Sequence, residues 1–268
     1  MPQPSNRIGT LHQTSLSSWF NDLPLITKTW LLGSFTITLL VGFGLLRVES
    51  VVLLWPRVYK GLELWRLCFS VFFLGGLGMG FLFNLLFILQ YSKSVEEDVF
   101  FSDPADYLFM LLFCTGVLWV WDIFVFKLFF FGPSLLSAVI YMWSKYHTDE
   151  LVSIWGLVQV PGKYLPFVFL LLDLLTSGSV NIRAVAGIVA GHCWYFVDKV
   201  YPTTIGNRRK LVTTPAFLRQ WLPAPRRRTM FSGPVAPPRT SSTMSRNTNN
   251  NSLFGQQHNW GPGRVLGE

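Results

Sequence analysis

The sequence predicts an all-α membrane protein with six transmembrane helices and a disordered cytosolic C-terminal tail. Half of the 268 residues are hydrophobic, and only 13% are charged. Several apolar runs approach or exceed the roughly 18–20 residues with which a helix crosses the hydrocarbon core. The net charge of +8 lies mostly in residues 202–268, which carry ten Lys or Arg and one acidic residue. Such a basic tail beside a membrane span is typical of a cytosolic flank attracted to anionic lipid, so no nucleic-acid partner is expected.

Six apolar runs are the predicted spans, with approximate bounds 29–46, 67–90, 107–126, 128–143, 164–175 and 181–201. An even number of spans puts both termini on one side, and the basic tail predicts that this side is the cytosol. Residues 1–28 are predicted to form the cytosolic N-terminus. They contain a short interfacial helix around Trp19 and Phe20 that Pro24 ends. They lack the apolar core of a cleavable signal peptide.

The loops between the spans carry three further expectations. Residues 47–66 are too apolar for an ordinary exposed loop and are predicted to embed partly in the bilayer. At their end, Glu63, Trp65 and Arg66 form a motif in which Trp65 anchors at headgroup depth and Arg66 reaches lipid phosphates. In a sharper form of this hypothesis, the loop wedges into the bilayer and thins it. Residues 91–106 are predicted to be a short, solvated acidic turn. Residues 151–160 are too short to span and are interpreted as an interfacial or re-entrant segment.

The sixth span carries a face of small residues. Gly187 and Gly191 are four residues apart, and this spacing lets another helix backbone approach closely. Asn84 and His192 lie at membrane depth and are predicted to line a hydrophilic groove, although His192 is equally suited to an interhelical hydrogen bond. Asp122 and Asp173 lie near span ends and are predicted to be interfacial.

Few residues in the sequence could bind a metal or carry out catalysis. Cys68, Cys114 and Cys193 have no metal-ligand spacing and no disulfide framework, so no metal site is expected. Ser134 and His192 would form the dyad of an intramembrane serine protease if their side chains lay within hydrogen-bond reach. A secondary transporter is another alternative, but the sequence pattern shows neither clear inverted repeats nor clearly broken helices. Ser134→Ala separates the serine protease from a protein without enzymatic activity, because only the protease should lose its function.

The tail has two parts. Residues 202–257 are predicted to be a cytosolic basic linker, and 226–257 are too poor in apolar groups to offset the entropy of ordering. The last eleven residues, H-N-W-G-P-G-R-V-L-G-E, regain a Trp, three glycines and a Leu, a composition typical of a docking peptide.

Five stretches together resemble the Derlin family, the rhomboid-related proteins of the endoplasmic reticulum membrane. They are residues 19–28, 63–66, 104–110, 187–192 and 258–264. The last resembles the family's SHP box, which binds a hexameric AAA ATPase, and it assigns docking roles to Trp260, Gly261, Gly263 and Arg264. Pro262 departs from the usual box.

The resemblance implies a rhomboid-like six-helix domain over residues 29–201 that has no cofactor and no catalytic residues. Active rhomboids carry G-x-S-G, whereas Leu135 stands in place of the second glycine. Their histidine precedes the G-x-x-x-G, whereas His192 follows it. The implied function is retrotranslocation of misfolded proteins in endoplasmic-reticulum-associated degradation. The implied partners are the ATPase, a membrane ubiquitin ligase complex, misfolded clients, the lipid bilayer and other Derlin chains.

Overall fold

The computed structural model describes residues 20–124, 128–154, 158–204 and 212–222. The chain divides into two units, Met1–Arg226 and Arg227–Glu268, and all described residues belong to the first. Residues 15–19 of the predicted interfacial helix, the tail from 223 onward and the docking peptide at 258–268 lie outside the described residues.

The described part of the chain is mostly helical. In chain order its helices are α1 (Leu25–Gly42), α2 (Val48–Val51), α3 (Trp55–Gly61), α4 (Trp65–Phe72), α5 (Met79–Phe87), α6 (Pro104–Phe124), α7 (Gly132–Tyr146), α8 (Leu165–Ser177), α9 (Ile182–Tyr195), α10 (Tyr201–Thr204) and α11 (Ala216–Trp221). Two of them, α1 with 18 residues and α6 with 21, are long and apolar enough to cross a membrane. Helix length therefore directly supports two of the six predicted spans.

The second predicted span is interrupted. Helix α4 ends at Phe72, and a glycine-rich stretch separates it from α5, with Gly75 at a φ of +118°. Glycine adopts this left-handed conformation without the steric cost that other residues meet. The sequence pattern predicts 67–90 as one helix because nearly all of its residues are apolar or small. The stretch instead turns the chain between two shorter helices.

The acidic segment after α5 is not a solvated turn. Helix α5 continues through two π-helical turns, Ile88–Ser92 and Val95–Val99. Ser92, Val95 and Glu96 are buried, because this extension packs beside the start of α1. The predicted turn at 91–106 is thus reduced to the few residues before Pro104.

A two-stranded antiparallel hairpin corrects both the all-α prediction and the re-entrant interpretation of 151–160. Strand β1 (Leu151–Ile154) pairs with β2 (Val158–Pro161), with Leu151 opposite Pro161. Residues 151–154 alternate between exposed and half-buried side chains. This alternation of period two, with two β-branched residues among the four, favours a strand over a helix.

Helix α7 lies at the centre of the unit. It packs against α4, α5, α6, α8 and α9, and most of its side chains are buried. Pro133 occupies its first turn, where proline costs no backbone hydrogen bond. This central position makes α7 the wall against which the candidate site is built.

Candidate functional site

The glycine face of α9 lies directly against α7. A methyl group added at Gly191 would lie 2.9 Å from the carbonyl oxygen of Ala138, and one added at Gly187 would clash with the carbonyl oxygen of Ser134. Both contacts are to backbone atoms, which cannot rotate away as a side chain does. The two helices therefore approach as closely as the absence of side chains permits.

The residues of the hypothetical serine-protease dyad are not brought together. Ser134 is buried opposite Gly187, and among the described residues its hydroxyl has no hydrogen-bond partner. His192 Nδ1 instead lies 2.7 Å from the hydroxyl of Tyr141. Ser134 and Tyr141 are seven residues apart on α7, which corresponds to about 10 Å along the helix axis. His192 thus makes an interhelical hydrogen bond.

A cavity of about 490 Å³ lies between α5, α7, α8 and α9. Most of its wall is apolar. Its polar side chains are those of Asn84, Ser137, Asp173, Asn181 and Arg183, all of them half-buried. Such groups are costly inside a bilayer unless they face a bundle interior or a wet cavity. The cavity is therefore the candidate functional site.

Three of the predicted polar residues have different relations to this cavity. Asn84 lies in its wall, and its Nδ2 donates to the carbonyl oxygen of Leu74 at 3.3 Å. Asp173, predicted to be interfacial, also lies in the wall. The predicted groove residue His192 is not among the described residues that line the cavity. Its ring is exposed at the α7–α9 contact.

Arg183 brings a positive charge to the wall of the cavity. Its guanidinium carbon lies 4.5 Å from the centre of the Phe130 ring, and a cation over an aromatic face is stabilised by the negative face of the ring. Asn181 caps α9 by accepting from the Arg183 backbone N–H at 3.1 Å. The end of α9 that enters the cavity is thus fixed by a cap and an aromatic contact.

The first-loop motif is built around a buried arginine, which overturns the expectation that Arg66 reaches lipid phosphates. The Arg66 side chain is only 3% exposed. Its Nε donates to Glu63, and its Nη1 donates to the carbonyl oxygens of Glu49 and, at 3.0 Å, of Val52. Arg66 thus ties α4 to the loop helix α2. Trp65 is 51% exposed, as an anchor requires.

Asp122 holds the same loop from the other side. Its Oδ2 accepts from Trp55 Nε1 at 2.7 Å, and its Oδ1 accepts from the backbone N–H of Leu128. The Asp122 carboxylate is buried within the protein, and its predicted interfacial depth stays a prediction. Burial of a charged group is tolerated because both oxygens are hydrogen-bonded.

The sequence pattern missed a polar network around Glu96. Its carboxylate accepts from the backbone N–H groups of Ile26, at 3.1 Å, and Thr27, at 2.8 Å, and from the Thr27 hydroxyl. The network continues from Thr27 through Ser92 to the hydroxyl of Tyr107. Burial raises the pKa of the Glu96 carboxyl, and the hydrogen bonds from Thr27 and Ile26 oppose that rise.

One sequence signal pointed to this network. Helix α1 begins after Pro24, which has no side chain able to cap a helix. The first N–H groups of such a helix need an acceptor from elsewhere in the chain. The signal shows that an acceptor is needed, but it does not identify Glu96 as that acceptor.

The comparisons with known proteins agree with one another. The sequence profile of the Der1-like family matches residues 23–216. The chain is 34% identical to human Derlin-1 over 259 residues, which are 95% of this chain and 99% of the relative. It is 36% identical over 207 residues to a protein of Dictyostelium discoideum named "Probable derlin-2 homolog", covering 75% of this chain and 80% of the relative. It is 33% identical to Derlin-1.1 of Zea mays over 233 residues, 87% of this chain and 95% of the relative.

Proposed function

The chain belongs to the Der1-like family, and from this premise we propose that it moves misfolded proteins from the endoplasmic reticulum to the cytosol through the cavity between α5, α7, α8 and α9. Membership of this family supports two statements about the chain: it is a membrane protein of the endoplasmic reticulum, and it has a role related to endoplasmic-reticulum-associated degradation. The route, the partners and the orientation are our proposal.

The observation that carries the proposal is the mixed wall of the cavity. A polypeptide that leaves water loses the hydrogen bonds of its backbone, and each unsatisfied group costs several kcal/mol in hydrocarbon. Asn84, Ser137 and Asn181 supply hydrogen-bonding groups from three different elements of the mostly apolar wall. Such a wall offers polar contacts to a backbone and apolar contacts to side chains without selecting one sequence.

We propose six crossings, made by α1, the α4–α5 pair, α6, α7, α8 and α9, with both termini in the cytosol. The shorter helices support local thinning of the bilayer. Helix α7 has 15 residues and α8 has 13. At 1.5 Å per residue they reach only about 20–23 Å, against a hydrocarbon core of about 30 Å. A bilayer that matches them is thinner there, and thinning lowers the cost of bringing a polar chain across.

The proposed function involves no proteolysis. His192 is hydrogen-bonded to Tyr141, whereas the Ser134 hydroxyl has no hydrogen-bond partner among the described residues, and the two side chains lie at different heights of the α7–α9 contact. This arrangement supports an inactive rhomboid-like protein. The proposed partners are a hexameric AAA ATPase bound by residues 258–268, a membrane ubiquitin ligase complex and further Derlin chains. The basic tail supports the cytosolic placement of that docking peptide.

Site-specific photocrosslinking tests the route. A photoreactive amino acid replaces Asn84 in the cavity wall, and in a matched variant it replaces Leu86, which is on the same helix, exposed and outside the cavity. During degradation of a radiolabelled misfolded client, we expect client adducts from position 84 and lipid adducts from position 86. Equal client labelling from both positions, or none from position 84 while the client is degraded, would contradict the proposed route.

Loss of the serine hydroxyl tests the absence of proteolysis. We expect Ser134→Ala to leave the rate of client degradation unchanged and to produce no accumulation of uncleaved client. A client fragment that is present with the wild type and absent with Ser134→Ala would show that the chain is a protease.

A further inference from the structure

The segment after the last long helix, residues 212–222, is bound to the N-terminal end of α6. Arg219 Nε lies 3.0 Å from Asp103 Oδ2, and Arg219 Nη2 donates to Asp106 at 3.2 Å. Thr214 donates to the same carboxylate of Asp106, and Leu218 is buried. The short helix α11 is therefore fixed at the point where the long apolar helix α6 begins.

The opposite face of α11 is apolar and uncovered. Phe217 is 62% exposed and Trp221 is 87% exposed. They are four residues apart, so their side chains project within about 40° of each other, whereas Arg219 projects from the far side. A single exposed aromatic residue needs no explanation. Two aromatic residues that form one face, on a helix held by its polar face, mark a contact surface.

The position of this face identifies what it contacts. Asp103 and Asp106 stand at the start of α6, which passes from polar to apolar sequence at Pro104. Trp and Phe beside such a boundary lie at the level of lipid headgroups, where the ring is buried and the indole N–H remains hydrated. The face of α11 is therefore held at headgroup depth.

The charge of the surrounding chain agrees with this position. Arg208, Arg209 and Lys210 precede the segment and Arg226, Arg227 and Arg228 follow it, and residues 202–267 contain no acidic residue. Basic residues next to an apolar anchor are attracted to the anionic lipids of the cytosolic leaflet. A protein partner would have to match six positive charges as well as two aromatic rings.

We propose that α11 is an interfacial anchor whose Phe217–Trp221 face inserts into the anionic cytosolic leaflet, and that it fixes the start of the tail to the membrane surface. The proposal rests on the proposed membrane embedding of α6. It is separate from the cavity and from the docking peptide, since neither contains a residue of α11.

Spin-label depth measurements on the full chain test the anchor. Cys68 and Cys193 are replaced by Ser and Cys114 by Ala, and a nitroxide is attached at Phe217→Cys, with Trp221 retained. The protein is placed in nanodiscs of phosphatidylcholine with phosphatidylserine, and the label is saturated against molecular oxygen and against a water-soluble nickel chelate. We expect a depth of about 5–10 Å below the headgroup boundary, the depth typical of interfacial helices.

Two control positions separate the possible failures. Ala216 is exposed and lies about 120° around α11 from the centre of the aromatic face, and a label there is expected in water. Leu112 is a 51% exposed position of α6, and a label there is expected in lipid. If the label at 112 reports water, the membrane embedding in the proposed function fails. If the label at 112 reports lipid while that at 217 reports water, the anchor fails and the embedding stands.

A second variant tests the aromatic face itself. Trp221→Ser is expected to move the label at 217 into water, while the label at 112 stays in lipid and so shows that the chain is folded. Discs without phosphatidylserine are expected to give a shallower label at 217, and equal depth in both discs would overturn the charge contribution. A label at 217 that is protected from both oxygen and nickel would show a protein contact, either a second copy or a partner, and would overturn the lipid assignment.

Discussion

Glu96 supplies the N-terminal cap of a helix that begins 70 residues earlier in the chain. Capping side chains normally belong to the residue just before the helix. Here Pro24 precedes α1 and has no side-chain acceptor, so the carboxylate on the π-helical extension of α5 takes that role. The Glu96 carboxylate thereby joins α1 to the extension of α5. Through Thr27 and Ser92, the same network reaches Tyr107 of α6.

Glu96→Ala is expected to lower the free energy of unfolding by about 2–3 kcal/mol, because two buried backbone N–H groups lose their acceptor. The measurement is denaturant unfolding in detergent, followed by tryptophan fluorescence. Glu97→Ala is the matched control. Its carboxylate is half exposed and 3.9 Å from Lys93, so we expect a loss below about 0.5 kcal/mol. Equal losses for the two variants would contradict the capping role.

Arg66 holds the first loop by contacts that Lys cannot reproduce. A guanidinium presents five donors in a fixed plane, whereas an ammonium is a point charge. We expect Arg66→Lys to free the loop at 48–61 from α4, and amide hydrogen exchange there to rise by on the order of tenfold or more. Trp65→Ala is the control, because its exposed ring makes no bond to that loop. Unchanged exchange in Arg66→Lys would show that Glu63 and the backbone alone order the loop.

The rate of client degradation is expected to fall in both Arg66→Lys and Trp65→Ala, without loss of membrane insertion.

At the scale of elements, the contact between α7 and α9 depends on two missing side chains. Gly187→Ala places a methyl group against the carbonyl oxygen of Ser134, so the helices must move apart along their whole contact. We expect a loss of about 1–3 kcal/mol, the usual cost of overpacking, and slower client degradation. The measurements are thermal unfolding in detergent and the half-life of a misfolded client.

Gly116→Ala is the matched control for the glycine seam. Gly116 lies within α6, and a methyl group there meets nothing within 4 Å. Alanine is the better helix former by up to about 1 kcal/mol, so we expect a neutral or slightly more stable protein. If Gly187→Ala were as harmless as Gly116→Ala, the close approach of α7 and α9 would have no bearing on stability. The Gly187→Leu and Gly191→Leu variants extend the series to larger side chains.

The elements that the sequence predicted well are those governed by local pattern. Apolar runs indicated the helices, and the spacing of Gly187 and Gly191 indicated a close-packed face. The features that the pattern missed depend on contacts between distant segments. The cap from Glu96, the burial of Arg66 and the bond between Trp55 and Asp122 each join residues whose proximity periodicity does not encode. The sequence pattern distinguishes Asn84, a lone amide in an apolar run, but it does not distinguish Asn181 and Arg183, which lie at the very start of the last apolar run.

At the scale of the whole molecule, the tail joins the membrane unit to its proposed ATPase. We propose that residues 226–257, roughly thirty residues, are a linker, and a flexible chain of that length would have an end-to-end distance on the order of 30 Å. A peptide held at that distance meets its partner at a high effective concentration, so a weak contact is sufficient for recruitment. Trp260 is the expected anchor, since a buried aromatic residue dominates the binding energy of many interfaces.

We therefore expect Trp260→Ala, and deletion of residues 258–268, to abolish recovery of the AAA ATPase with the full chain purified from detergent. Both variants leave every described contact of the membrane unit in place, so thermal unfolding of that unit is expected to match the wild type. Trp221→Ser is the matched control, because it removes a tryptophan that follows the last long helix without changing the peptide, and we expect this variant to recover the ATPase fully. Pro262→Gln introduces the usual residue of the box and is expected to bind at least as tightly as the wild type, because it removes the rigid proline between two glycines that would let the backbone lie flat against a partner. Recovery of equal amounts of ATPase with the truncated chain would show that docking uses another surface, and the tether would then have no role in extraction.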